Sequence, residues 1–428
     1  MAHSKTMLLV ACLSVVFIFT GCWEEEPKAA SSGSPKAKTK IVYWRHFFAP
    51  EDKAVKKLIQ LFEDDNPDIT VSYQSMPFKG YREKLSTSLR AGKGPHVINI
   101  HNSWAYGFIK SGFVLPIPKE VSSIQSLDKE LIPLAASFRL NGKYYGIPIG
   151  GGCLALFINT AHARAAGLDI SNPPSNWKEL KAWALKMTVK DGNKIKRSGF
   201  ACGGIKSQSW NYLVEALFRQ NGCRIISDDN QSVLWNTPQG LEAFEWYLSF
   251  VRTHRIFDLS FGKPFEIFAR EECSMIVEGN WILGKLKEIA PALSYTIVKL
   301  PAAKKKATYG SCWGNCVTSS ARGAQKKAAF RFVKFITSEK SSRIWTEVVG
   351  ELPLYKRILK DSAFLKKHTG LSPFIQSMPY AYSSLKKDET RYKESITEAV
   401  QEVILRKTPP AAALKQAADT INKMLSEK

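Results

Sequence analysis

The chain has 428 residues, two to three domains' worth, and 44% hydrophobic residues against 23% charged, which excludes both a small module and a disordered chain. Sixty-one Lys and Arg against 38 Asp and Glu give a net charge of +23, a balance shared by binders of nucleic acid, anionic membranes and acidic ligands. Nucleic acid lacks a carrier here: the sequence holds no helix-turn-helix, RNP or zinc-finger pattern.

Residues 1–21 read as a signal peptide, with His3 and Lys5 ahead of an apolar run from Met7 to Phe19 too short to span a bilayer. Phe19-Thr20-Gly21-Cys22 resembles the lipobox of bacterial lipoproteins, with Phe19 departing from the usual Leu. The resemblance implies cleavage before Cys22 and acylation of its sulfur. Residues 22–40 carry no periodic apolar pattern and read as a flexible tether, so the chain is expected to be exported and held at the cell envelope by its lipid alone. Losing residues 1–21 removes only Lys5 from the charge count, leaving the mature chain near +22.

Further along, strand and helix patterns alternate. Lys40 to Trp44 reads as a strand. Glu51 to Asp65 places Val55, Leu58, Ile59, Leu61 and Phe62 on one helical face before Asn66-Pro67 ends it. Ile69 to Tyr73 is a second strand, Tyr81 to Leu89 a helix, and Val97 to Ile100 a third strand. This rhythm predicts an α/β fold with a mostly parallel sheet, whose ligands sit beyond the strands' carboxyl ends. That rule singles out Arg45, His46 and Phe47, and then His101, Asn102, Ser103 and Trp104. Gly150-Gly151-Gly152, before a strand from Cys153 to Ile158, suits a flexible crossing between lobes. It lacks the Lys and Ser/Thr of a phosphate-cradling loop.

Cysteine and histidine spacing does not build a metal site. Cys312-x3-Cys316 stands alone, the seven His are scattered, and in a strand the two thiols are about 13 Å apart, too far for a disulfide. For Cys153, Cys202, Cys223, Cys273, Cys312 and Cys316, buried free thiols and distant pairings both stay open.

A dozen short segments in order, from about residue 41 to 425, carry a family resemblance. They include Asn66-Pro67-Asp68-Ile69-Thr70-Val71, Ala91-Gly92-Lys93-Gly94-Pro95-His96-Val97, Gly142-Lys143-Tyr144-Tyr145-Gly146-Ile147-Pro148, Ser274-Met275-Ile276-Val277-Glu278-Gly279-Asn280-Trp281 and Gly350-Glu351-Leu352-Pro353. The chain resembles the bacterial extracellular solute-binding protein family 1, the maltose-binding-protein-like receptors of ABC importers. It departs from the pattern at His96, where Asp is usual, and at Trp313-Gly314-Asn315-Cys316. The resemblance implies a type II two-lobed periplasmic-binding-protein fold with hinge and interlobe cleft. Lobe one would hold 41–149 plus 312–352 and lobe two 153–298 plus 356–428, with crossings near 149–153 and 298–311. It also implies a monomer that needs no cofactor and delivers its solute to an ABC permease.

A sugar fits such a cleft on physical grounds, since its apolar ring face lies on flat aromatics while polar side chains take the rim. The expected aromatics are Trp281, which matches the family's Gly-x-Trp stacking residue, with Trp313, Trp44, Trp104 and Trp210. The expected polar partners are His46, Asn102, Asn211, Glu278 and Asn280. Trp177, Trp183, Trp235, Trp246 and Trp345 lie in amphipathic or turn patterns that read as core. An anionic solute such as glycerol 3-phosphate is the alternative, with Arg45 or Arg139 as its clamp. A glycoside hydrolase would need paired carboxylates, and Asp52, Glu278 and Glu351 sit in no paired motif.

Overall fold

In the computed structural model, residues 37–202, 209–258 and 261–427 are described, without the side chains of residues 49–50 and 209–211. The signal segment, Cys22 and the tether up to residue 36 lie outside the described residues.

β1 (Thr39–His46) pairs in parallel with β2 (Ile69–Met76) along its whole length and, through Tyr43 and Trp44, with β3 (Val97–His101). α1 (Ala49–Asp65) and α2 (Tyr81–Arg90) connect them. Strand alternation sends Ile41, Tyr43 and Arg45 to one face of β1 and Val42, Trp44 and His46 to the other. On the first face Ile41 and Tyr43 join Leu58 and Phe62 of α1 in a closed core. On the second face Tyr81 of α2 approaches His46, its ring centroid 6.4 Å away.

β4 (Ile147–Asn159) is 13 residues long and buried throughout. Beyond it come α3 (Ser209–Gln220), α4 (Pro238–Arg252), β5 (Met275–Gly279), β6 (Tyr295–Lys299) and β7 (Thr308–Val317). The amino half of β4 pairs antiparallel with β7, and its carboxyl half lies between β5 and β6. β7 in turn pairs antiparallel with β3 from Trp313 to Val317. β7 therefore links β4 to the β1–β3 set, and β4 links β7 to β5 and β6. α5 (Gly323–Ile336) and α6 (Glu339–Val349) close the face carrying Tyr43, where Phe332 and Trp345 are fully buried.

The last stretch contributes β8 (Ala381–Tyr382), which pairs with Thr308 and Tyr309 of β7, then α7 (Glu389–Leu405) and α8 (Pro410–Ser426). α7 packs on α3, α4 and α8, and a buried ion cluster fixes its start: Lys386 Nζ lies 2.6 Å from Glu215 Oε2 and 3.1 Å from Glu389 Oε2.

Two expectations need correction. The triple glycine is no break in the chain, because Gly150–Gly152 lie inside continuous β4. Close approach selects them: a Cβ on Gly151 would stand 2.6 Å from the Ser311 carbonyl oxygen, and one on Gly150 2.7 Å from the Trp345 ring. The strand from Cys153 likewise begins six residues earlier, at Ile147. The six cysteines are free and buried, which closes the question left open by their spacing. Trp177, Trp183, Trp235 and Trp345 are buried, as their patterns predict.

Gly151→Ala forces two paired backbones apart. It is expected to lower unfolding stability by about 1–3 kcal/mol, read as a drop in the urea midpoint at unchanged slope.

Candidate functional site

The carboxyl ends of β1, β2 and β3 converge on an aromatic platform. Its centre is Trp313, which the pairing of β7 with β4 skips, since the register shifts between Cys312 and Gly314. A bulge of this kind re-aims a side chain. Here the Trp313 ring stacks on His46 at 3.9 Å between centroids and 28° between planes. Trp104, on the turn after β3, meets it edge-on at 5.4 Å, and His101 at 5.1 Å. Phe78, just past β2, closes the group at 6.1 Å from Trp313 and 6.0 Å from Trp104.

Exposure marks the working surface. Among the described residues the exposed Phe and Trp side chains are Phe47 (52%), Phe48 (47%), Phe78 (57%) and Trp281 (40%). The first two follow β1, the third follows β2, and Trp281 follows β5. Apolar rings left in water cost free energy unless something covers them, and these sit where α/β sheets take ligands.

The two imidazoles of the platform stay neutral across the physiological range. Burial, then the positive charge of Arg45, pushes His46 down to about 2. Burial, then Lys393, pushes His101 down to about 4. His101 lies between two hydroxyls, with Nδ1 2.7 Å from Ser103 Oγ and Nε2 2.7 Å from Ser311 Oγ. One ring nitrogen donates and the other accepts, which fixes the ring without charge.

Behind the platform lies a buried charged layer. Arg45 forms an ion pair with Glu51, and its guanidinium carbon stands 4.8 Å from the centroid of the Trp345 ring. Trp345 Nε1 donates to Glu351 Oε2 at 2.8 Å. Burial, then the Glu51 charge, pushes the Glu351 carboxyl up to about 7.

Several residues named from the sequence fall elsewhere. Asn102 is fully committed: its Nδ2 donates to Ser383 Oγ at 2.8 Å and its Oδ1 accepts from Cys312 N at 3.2 Å, so it ties β3 to the segment after β8. Trp44 packs inward, two residues before His46, with Lys84 Nζ 5.5 Å from its ring centroid. Arg45 and Arg139 cannot clamp an anion as expected: Arg45 is spent on Glu51, and Arg139 pairs with Asp128 on a peripheral hairpin. Glu278 is buried within β5. Asn280 is also buried, and its Oδ1 has no hydrogen-bond partner. The side chains of Trp210 and Asn211 lie outside the described residues. Sequence reasoning missed Phe48 and Phe78, although their place directly past a strand end is the signal that singled out Phe47. Among the described residues no group of three His, Cys, Asp or Glu side chains is arranged to hold a metal ion.

Comparison with known proteins bears on the family and the fold. A sequence model of the bacterial extracellular solute-binding proteins matches residues 57–373. A putative binding protein of Brucella abortus (strain 2308) is 25% identical over 406 residues, covering 93% of this chain and 95% of that protein. The sn-glycerol-3-phosphate-binding periplasmic protein UgpB of Escherichia coli K12 is 23% identical over 431 residues, covering 92% and 94%. In fold, an ABC transporter solute-binding protein from Thermotoga lettingae bound with alpha-D-tagatose superposes with a TM-score of 0.74 at 24% identity, over 91% of this chain and all of that one.

Glu351 yields a pH test. A carboxyl with a folded pKa near 7 against an ordinary 4.5 keeps its proton where the unfolded chain has lost it. Its contribution to stability is complete below pH 4.5 and is lost as the pH rises through about 7. His46 and His101 titrate in the opposite sense, so the comparison is with Glu351→Gln, which keeps an acceptor for Trp345. The stability of the native chain relative to that variant is expected to decline across this window and to be flat outside it, measured by urea unfolding at stepped pH.

Proposed function

The chain belongs to the bacterial extracellular solute-binding proteins, and we propose that it is the receptor of an ABC importer, capturing a mono- or oligosaccharide between two lobes and presenting it to a permease. It is a binding protein and not an enzyme. The observation that carries the sugar reading is the placement of exposed rings past the carboxyl ends of strands, with Phe78 packed against Trp104 and Trp313. Such rings offer faces for the C–H side of a sugar, and the neutral imidazoles beneath them support the platform without imposing charge. The tagatose held by the Thermotoga lettingae relative supports the same class.

In this reading the lobes are 41–149 plus 312–352 and 153–298 plus 356–428, joined by β4 and β7. Closure brings Trp281 and Asn280 toward the platform. A solute shifts that equilibrium only by its differential affinity for the closed form. The mature chain begins at an acylated Cys22, residues 22–40 act as the tether, and the receptor works as a monomer at the outer side of the membrane.

Two substitutions test the site. Trp281→Ala and Trp313→Ala are each expected to weaken sugar binding at least tenfold, about 1.4 kcal/mol, with the melting temperature nearly kept. Calorimetry with sugars found by a thermal-shift screen reads this, and unchanged affinity in both variants rejects it. The anchor is tested by Cys22→Ser, which is expected to leave the detergent phase on Triton X-114 partitioning; a variant that stays there refutes acylation at Cys22.

A further inference from the structure

One charged side chain on the platform is unused by the reading above. Arg82, second residue of α2, is half-buried, with its guanidinium carbon 5.9 Å from the centroid of the Trp104 ring. Among the described residues it has no carboxylate partner. The acids behind and beside the platform are engaged with other partners: Glu51 with Arg45, Glu389 with Lys386 and Lys393, and Glu351 with Trp345. Glu83, the next residue of α2, is exposed. The fold gains nothing from a cation here, because the first turn of a helix favours negative charge. A half-buried arginine beside an aromatic ring, at a cost to its helix and without an acid to pair, is poised for an anion from outside.

We propose that Arg82 is a specificity-determining residue and that the solute is a sugar bearing an anionic substituent, a carboxylate or a phosphate ester, which the guanidinium receives while the sugar ring lies on Trp104 and Trp313. The proposal rests on the sugar-receptor reading. It places the negative charge at the amino end of α2, away from Arg45 and Arg139. A planar fork matches both substituents bidentately, so the experiment must separate them.

The test is calorimetry of the intact mature chain with matched pairs, galactose against galacturonate and glucose against glucose 6-phosphate, repeated with Arg82→Gln and Arg82→Lys. The charged member of at least one pair is expected to bind at least tenfold more tightly than its neutral counterpart, and the pair that shows it identifies the substituent. Arg82→Gln brings the two affinities within about twofold, and Arg82→Lys falls between, because an ammonium keeps the charge but loses the fork. Neutral sugars binding as tightly as their charged partners, or a preference that survives Arg82→Gln, overturns the proposal and leaves the sugar-receptor reading standing. Binding of none of the four overturns the proposal, while the sugar-receptor reading is decided separately by the thermal-shift screen of mono- and oligosaccharides.

Discussion

The antiparallel pairing of β4 with β7 is the constraint on which the rest of the structure turns, since it joins β1–β3, reached through β7, to β5 and β6, reached through β4. Its register slips between Cys312 and Gly314, beside the tightly packed Gly150–Gly152. The same stretch is also gripped from outside. Leu352 and Gly151 exchange backbone hydrogen bonds, and Ser342 Oγ donates to the Ile149 carbonyl at 2.8 Å. Trp313 sits in the slipped register itself, so the ring at the centre of the platform is mounted on the strand that joins the two sets.

The electrostatic arrangement is layered. Paired charges lie behind the platform, where Arg45 and Glu51 neutralise each other, and the platform itself is aromatic with uncharged imidazoles and Arg82 beside Trp104. The large positive excess of the chain resides mostly elsewhere, on helix faces such as that of α5, where Lys326, Lys327, Arg331 and Lys334 are all exposed. Exposed charges of this kind are screened by salt and contribute little to stability one by one.

Much of this was legible in the residues. The first three strands and two helices follow from periodicity and the Asn66-Pro67 stop, and the strand-end rule found His46, Trp104 and Phe47 before any coordinates. What stayed hidden depends on which face a side chain takes and what pairs with it. Arg45 and His46 are adjacent in sequence, yet alternation sends one to a buried ion pair and the other to the platform. Asn102 stands at the predicted strand end, but its amide is consumed by two partners more than 200 residues away. The triple glycine looked like a joint because its crowding comes from Ser311 and Trp345, which no local pattern reveals.

The six thiols carry a consequence for how such a chain matures. Each is buried, and burial pushes Cys202, Cys273 and Cys312 up to about 12, far from the thiolate that attacks disulfides. Once folded, the described part of the protein presents no exposed thiol to an oxidising surrounding. The hazard is confined to the interval before the core shuts, which favours rapid burial over enzymatic crosslinking as the safeguard for these sulfurs.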